Sequence, residues 1–326
     1  MVFISVVIIA YDRKTYLMKA LKSVLDQDFD DQDYEIIIIK NFEDPEIDSA
    51  IYNKLNQRKF KSIRSEDTTL SGKIHESIKE CSGEIIAFLE DDDMFCKNKL
   101  ETIANAFNEG EAVYFHNQFI AVNENDDIIP FNFETPEFNV SCISVRKREI
   151  DWSKLVGLND NLILDSFLFY SSIQSGKPII ISKEKLNYYR VHKSISNTST
   201  FKPFKEFCTE RVSGAKQVYC ALEKYQNIFS SPQVKSFIKN RMVFQKMKQR
   251  IMGKDSIITL GEYLTWFFTR PYPKSNLKTD YTYQLKIAIL SIFPNLVRKN
   301  VALKLYYTER KKIGGSSPRI EKQEVS

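Results

Sequence analysis

Residues 4–10 read ISVVIIA and residues 34–40 read YEIIIIK, two short runs of mainly β-branched apolar side chains. Runs of this length and composition are typical of strands that are buried on both faces of a parallel sheet. Between the two runs, apolar residues recur at helical spacing: Leu17, Ala20, Leu21, Val24 and Leu25. A strand, a helix and a second strand in this order predict a βαβ unit with a right-handed crossover.

The same alternation continues along the next part of the chain. We predict a short strand at Ser62–Ile63, a helix around Ile74, Ile78 and Cys81, a strand at Glu84–Glu90, and a helix marked by Leu100, Ile103, Ala104 and Phe107. Residues 1–200 are therefore predicted to form an α/β domain with a mostly parallel sheet and flanking helices. Residues 201–313 are predicted to form a basic, mainly α-helical region, and residues 314–326 a disordered tail.

Charge is divided unevenly between these two parts. Residues 1–200 carry 23 Lys and Arg against 33 Asp and Glu, a balance of −10, whereas residues 201–326 carry 24 against 9, a balance of +15. The second part is therefore expected to face something anionic. Its basic helices and aromatic residues are compatible with docking on an anionic membrane surface. The alternative is that the aromatic residues pack a helical subdomain or a dimer interface, and the oligomeric state stays open.

Cysteine content and the N-terminus indicate the compartment. The five cysteines are odd in number and show no CxxC spacing, which favours a reducing environment. The N-terminal apolar run has no preceding basic region and no small-residue cleavage site, and no window approaches eighteen uninterrupted apolar residues. We predict a cytoplasmic protein, with peripheral binding at the inner face of the cell membrane as the more specific hypothesis.

A run of four carboxylates, Glu90 to Asp93, interrupts the apolar stretch FLEDDDMF at residues 88–95. The three predicted strands end at Tyr11-Asp12, at Lys40-Asn41 and at this acidic run. Ligands of open α/β sheets bind outside the carboxyl ends of the strands. The run is expected to be a solvent-facing turn. It either stays simply solvated or binds Mg²⁺ or Mn²⁺, which prefer oxygen ligands.

Three blocks of the sequence together resemble family 2 glycosyltransferases of the GT-A fold. The blocks are ISVVIIAYDRKTYLMKALKSVLDQ with YEIIIIK, then GEIIAFLEDDDMFCKNKLE, then GLNDNLILDSFLFYSSIQSGKPIIIS with YYRVHKS. They occur in the family's order and cover about residues 3–195. The resemblance implies a Rossmann-like GT-A domain. It also implies an inverting, metal-dependent enzyme that moves a sugar from a nucleotide-diphosphate sugar to a hydroxyl of a glycan or a lipid-linked acceptor.

Carried over by position, the resemblance assigns site residues. It implies that Asp92, with Glu90 and Asp93, binds Mn²⁺ or Mg²⁺. It implies contacts to the donor nucleotide from Ala10, Tyr11, Asp12, Lys40, Asn41 and Asp91, and contacts to the diphosphate from Arg190 and His192. The sequence departs from the family after the second strand, where Lys40-Asn41 replaces the usual pair of aspartates that reads the base. The identity of the base is therefore left open.

The resemblance also implies that Asp165 is the catalytic base. Inverting transfer needs a carboxylate that takes the proton of the attacking hydroxyl. Asp165 is the only carboxylate between Asp160 and Glu184. The alternative is that Asp165 caps a helix, a common role for aspartate.

Two other functions are compatible with parts of the sequence. A nucleotidyltransferase also combines an α/β sheet with carboxylate-bound Mg²⁺, but the segment AYDRKTYL has no glycine for a phosphate loop. A non-catalytic nucleic-acid-binding protein could use the basic and aromatic C-terminal region. We expect an anionic membrane surface, and not a nucleic acid, to be the partner of this region.

Overall fold

The computed structural model describes residues 2–11, 13–55, 58–131, 135–156, 158, 163–192, 202–253, 256–268, 278–293 and 295–312. Asp12 and the predicted tail at 314–326 lie outside these residues. The chain divides into two compact units. The first comprises Met1–Ile120, Phe133–Arg190 and Lys224–Lys235, and the second comprises Ala121–Asn132, Val191–Glu223 and Ser236–Ser326. The boundary expected near residue 200 stays a prediction, because residues 193–201 are among those not described.

An eight-stranded mixed sheet carries the site. Its strands are β1 (Ile4–Ala10), β2 (Tyr34–Lys40), β3 (Phe60–Arg64), β4 (Ile85–Glu90), β5 (Met94–Phe95), β6 (Tyr114–Val122), β7 (Ile143–Arg146) and β8 (Ile179–Arg190). Their order is β3-β2-β1-β4-β7-β6-β8-β5. The first four in this order run parallel, as the sequence predicted. The pairs β4–β7, β6–β7 and β5–β8 are antiparallel, and the sequence analysis did not predict this extension.

Helices flank the sheet and follow it. In the first part of the chain they are α1 (Lys14–Leu25), α2 (Pro45–Leu55), α3 (Leu70–Glu80), α4 (Lys99–Asn108) and α5 (Leu164–Gln174). The later helices are α6 (Phe204–Ile228), α7 (Pro232–Ile251), α8 (Leu260–Phe268), α9 (Lys278–Ile292) and α10 (Asn295–Lys312). The prediction of a helical C-terminal region is confirmed.

Strand register determines where the polar strand ends meet. Every residue of β1 and β2 is buried, because helices cover both faces of these strands. Ile9 pairs with Glu90 on one side of β1, and Ala10 pairs with Lys40 on the other. The carboxyl ends of β1, β2 and β4 therefore lie at one level of the sheet.

The second unit has its own apolar core around α7, α8, α9 and α10. Trp266 is buried and stacks on Phe244 with the ring centroids 6.3 Å apart. Tyr306 packs edge-on against Phe204 and Phe207. Across the described residues of the chain, no helix combines the length and the apolar character that a membrane span requires.

Candidate active site

The acidic turn lies at the carboxyl end of β4. Glu90 is the last residue of that strand and is partly buried, whereas Asp91, Asp92 and Asp93 are 0%, 7% and 1% exposed. The prediction of a solvent-facing turn is therefore wrong: the surrounding loops cover the carboxylates. One carboxylate oxygen from each of Glu90, Asp92 and Asp93 lies within 4.8 Å of the others. These are the three residues that the sequence indicated as metal ligands.

Burial of adjacent carboxylates changes their acid–base behaviour. Burial raises the pKa of Asp91 to about 6, although Arg13 opposes the shift. Burial, together with the charge of Asp92, also raises the pKa values of Glu90 and Asp93. Charges that are removed from water and placed side by side are costly unless a cation compensates them. This set of hard oxygen donors fits Mg²⁺ or Mn²⁺.

Arg13 compensates part of this charge from the turn after β1. Its guanidinium forms ion pairs with Asp91, at 2.5 Å, and with Asp92. The backbone N–H of Tyr11 donates to Asp91 Oδ2 at 2.7 Å. Asp91 is thus bound to the β1 turn, while the other three acids form the cluster. Arg13 was not predicted from the sequence, although its place in the turn after the first strand was a usable signal.

Asn139 holds the opposite side of the acidic turn. Its Nδ2 donates to Asp93 Oδ2 at 2.8 Å, and the backbone N–H of Arg190 donates to Asp93 Oδ1 at 3.0 Å. Asn139 Oδ1 accepts the N–H of Ser141 at 2.8 Å, which fixes the orientation of the amide. Asn139 has a φ of +64°, a value that is uncommon outside glycine. A strained, buried residue that contacts a candidate metal ligand was not detectable from the sequence.

Lys99 binds the loop that contains Asn139 and Ser141. It is fully buried in α4, and its Nζ donates to Asn117 Oδ1, Asn187 Oδ1 and the Ser141 carbonyl at 2.6–2.8 Å. Ser141 Oγ in turn accepts the backbone N–H of Glu90 at 3.0 Å. Burial lowers the pKa of Lys99 to about 8. The lysine joins strands β6 and β8 to the loop that holds the acidic turn.

The two basic residues predicted to bind diphosphate fall in different units. Arg190 ends β8 in the first unit and is 1% exposed. Its Nε donates to the Asp92 carbonyl at 2.9 Å, and its guanidinium lies 4.7 Å from the centroid of the Tyr16 ring. The Arg190 side chain therefore holds the backbone of the acidic turn. His192 is buried and belongs to the second unit.

The predicted nucleotide residues end β1 and β2. Ala10 is buried, and Tyr11, which follows it, is partly buried. Lys40 is buried, and its Nζ pairs with Asp48 of α2 at 2.7 Å and donates to the Phe42 carbonyl at 3.1 Å. Asn41 accepts a hydrogen bond from Lys73 of α3, a residue that the sequence analysis missed. Lys40 and Asn41 thus have separate partners.

Asp165 lies in the first turn of α5 and is partly buried. Its Oδ1 accepts the backbone N–H of Ser166 at 2.8 Å, so the carboxylate bonds within the first turn of its helix. A negative charge is favourable at this end of a helix. Asp165 also adds to the negative potential at Tyr114, the first residue of β6. The contacts of the carboxylate are compatible with both a base and a capping role.

Comparison with known proteins identifies the class. The model of glycosyl transferase family 2 matches residues 5–163, which include β1 to β7 and the acidic turn. Residues 5–163 therefore match glycosyltransferase family 2, as the sequence resemblance indicated.

Curated relatives match a little over a third of the chain. An uncharacterized glycosyltransferase of Rickettsia conorii is 32% identical over 123 residues, which are 37% of this chain and 20% of the relative. The GalNAc(5)-diNAcBac-PP-undecaprenol beta-1,3-glucosyltransferase of Campylobacter jejuni is 30% identical over 120 residues, 36% of this chain and 38% of the relative. The chain therefore spans between a fifth and two fifths of the length of these two relatives.

Solved structures show the same fold along most of the chain. TarS 1–349 of S. aureus in complex with UDP-GlcNAc matches with a TM-score of 0.58 and 15% identity, covering 93% of this chain and 92% of TarS 1–349. The mannosyltransferase PcManGT of Pyrobaculum calidifontis, in complex with GDP-Man and Mn²⁺, matches with a TM-score of 0.54 and 11% identity, covering 91% and 87%. The predicted GT-A fold is confirmed.

Proposed function

We propose that the chain is an inverting glycosyltransferase that moves a sugar from a nucleotide-diphosphate sugar to a hydroxyl acceptor. One observation carries the proposal. In a family 2 domain, Glu90, Asp92 and Asp93 converge at the carboxyl end of β4, at the level where β1 ends in Ala10 and Tyr11. Ligands of such sheets bind at this edge. Structural neighbours with UDP-GlcNAc or GDP-Man bound support a donor of this class.

The residues of the acidic turn would hold Mn²⁺ or Mg²⁺. Glu90, Asp92 and Asp93 would each offer one carboxylate oxygen, and Asp91 would stay bound to Arg13 and to the β1 turn. When bound, the metal ion would offset negative charge on the departing diphosphate. A neighbouring structure that contains Mn²⁺ supports this role.

On the donor side, Ala10, Tyr11 and Asn41 would line the nucleotide, and Asp12 is proposed from the sequence alone. Lys40 would also contact the donor nucleotide, although its ammonium group pairs with Asp48 of α2. Arg190 would act by fixing the acidic turn through the Asp92 carbonyl. A contact of His192 with the diphosphate is proposed from the sequence alone.

On the acceptor side, Asp165 would take the proton of the attacking hydroxyl. Its place in the first turn of α5 stabilises the ionised form that a base needs. The retained hydrogen bond to the Ser166 N–H would hold the carboxylate in one orientation.

We propose a lipid-linked glycan as the acceptor and the inner face of the cell membrane as the place of reaction. The Campylobacter jejuni relative is named for an acceptor on undecaprenol diphosphate, which supports this class. The +15 balance of residues 201–326 would favour an anionic membrane surface.

The test combines donor turnover with metal binding. Purified protein is incubated with UDP- and GDP-sugars, with and without Mn²⁺, and released nucleoside diphosphate is measured. Mn²⁺ binding is measured separately by calorimetry. Asp92→Asn should lose most turnover and bind Mn²⁺ on the order of tenfold more weakly or worse, because one ligand charge is removed.

The matched control is Asp26→Asn, because this aspartate pairs with Lys22 on the surface of α1. It should bind Mn²⁺ and turn over donor like the parent protein. The fold of Asp92→Asn should persist, because removing one of four adjacent negative charges relieves repulsion. A large loss of thermal stability in Asp92→Asn without ligand, or equal Mn²⁺ binding by both variants, would argue against the metal site.

A further inference from the structure

Lys73 is a buried cation in a position that disfavours positive charge. It is 0% exposed and is the fourth residue of α3. Burial lowers its pKa to about 8, with the charge of Asp91 acting in the opposite direction. The N-terminal end of a helix carries a partial positive charge, so a lysine there gains nothing from the helix dipole.

The Lys73 ammonium contacts three groups at the ends of β1 and β2. Nζ donates to the Ala10 carbonyl at 3.1 Å and to Asn41 Oδ1 at 3.0 Å. It also lies 3.5 Å from the centroid of the Tyr11 ring, a cation–π contact. The ammonium thus joins the ends of β1 and β2, and its partners are three of the residues proposed to line the donor nucleotide.

The start of α3 fixes the place of Lys73. Thr69 caps the helix by accepting the Gly72 N–H at 3.1 Å, and Asp67 accepts the N–H and the hydroxyl of Thr69 at 2.7 Å. A Cβ on Gly72 would lie 1.8 Å from Asp67 Oδ2, so glycine is required for this close approach. These contacts fix the N-terminus of α3 and therefore the position of Lys73.

The contact with Lys73 decides which end of the Asn41 amide is available. An ammonium group has only hydrogens to offer, so the oxygen of Asn41, and not its nitrogen, must face Lys73. Among the described residues, none accepts a hydrogen bond from Asn41 Nδ2. The NH₂ group is left to donate to a ligand at this edge of the sheet.

We propose that Lys73 is a positioning residue that orients Asn41 to select a donor nucleotide whose base presents a carbonyl oxygen. Uracil (O4) and guanine (O6) carry such an acceptor, whereas cytosine and adenine present an amino group at the corresponding position. An amino group would meet the Asn41 NH₂ donor to donor. The proposal rests on the proposed function, because it assigns Asn41 to the nucleotide site.

Binding of four nucleotides in the presence of Mn²⁺ tests the proposal. UDP against CDP and GDP against ADP are compared by calorimetry with the full chain. The parent protein should bind UDP about tenfold or more tightly than CDP, or GDP about tenfold or more tightly than ADP. The reason is that two donors that face each other both stay unpaired. In Lys73→Met the Asn41 amide can rotate, so this ratio should fall to about threefold or less.

Asn41→Asp removes the hydrogen-bond donor at the same position. A carboxylate would still accept from Lys73 but has no hydrogen to donate to a base carbonyl, so the preference for the base with a carbonyl oxygen should fall to about threefold or less. This partly exposed position is safer for folding than Lys73 and keeps the proposal testable if Lys73→Met is unstable. Lys61→Met is the control for loss of one positive charge, because Lys61 is exposed on β3 and pairs with Glu80. It should keep the parent ratio.

The possible failures are distinguishable. If the parent protein binds none of the four nucleotides, the proposed function and this inference both fail. If it binds them with base ratios below about threefold, or prefers CDP or ADP, only the base inference fails. An unchanged ratio in both Lys73→Met and Asn41→Asp would also overturn the positioning role.

Discussion

The two units use charge and apolar surface in opposite ways. The first unit buries charged groups at the strand ends: Asp91, Asp92, Asp93, Lys73, Lys99 and Arg190. The second unit exposes apolar side chains on α8, where Leu260, Leu264, Phe267 and Phe268 are 74%, 48%, 55% and 79% exposed. Buried charge and exposed apolar surface both cost stability, so each marks a place where an external ligand would recover the cost.

Because the first unit buries charged groups, the ligands expected there are ions. Three of the acids and their partners form one connected network from Arg13 to Lys99, through Asp91, Asp92 and Asp93. Such a network is favourable only when its members are nearly all paired. A divalent cation and an anionic diphosphate would complete it from outside.

The largest expected effect concerns Asp165, which tests whether the chemistry lies in the first unit. Asp165→Asn should lower turnover about 10²–10⁴-fold, because the amide cannot accept the proton of the acceptor hydroxyl. Donor affinity, measured by calorimetry with nucleoside diphosphate and Mn²⁺, should stay within about threefold, because amide and carboxylate are similar in shape. If donor affinity falls in step with turnover, Asp165 is a binding or structural residue instead.

A smaller effect is expected at Asn139. Its substitution tests whether the hydrogen-bond network around the acidic turn contributes to metal affinity. Asn139→Gly keeps a backbone that tolerates φ of +64° but removes the hydrogen bond to Asp93. Loss of such an outer contact should weaken Mn²⁺ binding about 10–100-fold. Asp126→Gly is the matched control, since Asp126 also has positive φ, at 70°, but lies in the turn after β6.

Calorimetry without donor gives the comparison directly. Asp126→Gly should bind Mn²⁺ like the parent protein. Equal Mn²⁺ affinity in Asn139→Gly and the parent would mean that Asn139 supports only the fold, and the buried network would then have no demonstrated link to a metal.

Local patterns in the sequence were sufficient for one half of the sheet. The runs at Ile4–Ala10 and Tyr34–Lys40 have the bounds that the structure shows, because continuous β-branched stretches leave few alternatives. Helix α2 and strands β5 to β8 were not predicted, since their burial depends on distant partners. Helix α2 buries only Ile51 and Leu55, too few to give a clear period.

The candidate site divides in the same way. The acids Glu90, Asp92 and Asp93 are neighbours in sequence, so their convergence could be predicted. Lys73 and Asn139 reach the site from α3 and from the loop before β7, and no local pattern indicates such contacts. Burial of the acidic turn was missed for the same reason, because distant segments cover it.

The smallest expected effect concerns the apolar face of α8. Leu260, Leu264, Phe267 and Phe268 recur at helical spacing on one face, while Trp266 points into the core and is buried. The region from 201 to 326 carries +15, so two copies of it would repel each other, whereas an anionic bilayer would attract it. Anionic lipid is therefore favoured over a second copy of the chain as the partner of this face.

We expect the full chain to sediment with anionic vesicles and to be released at high salt, because attraction between exposed charges is screened. Phe267→Ser with Phe268→Ser should weaken vesicle binding on the order of tenfold, because two aromatic side chains no longer enter the interface. Tyr52→Ser, at an exposed aromatic residue of the first unit, should bind like the parent protein. Equal sedimentation with neutral and anionic vesicles, or none with either, would exclude the membrane-surface role. The exposed face of α8 would then have to meet another protein surface, and the proposed sugar transfer at the acidic turn would not be affected.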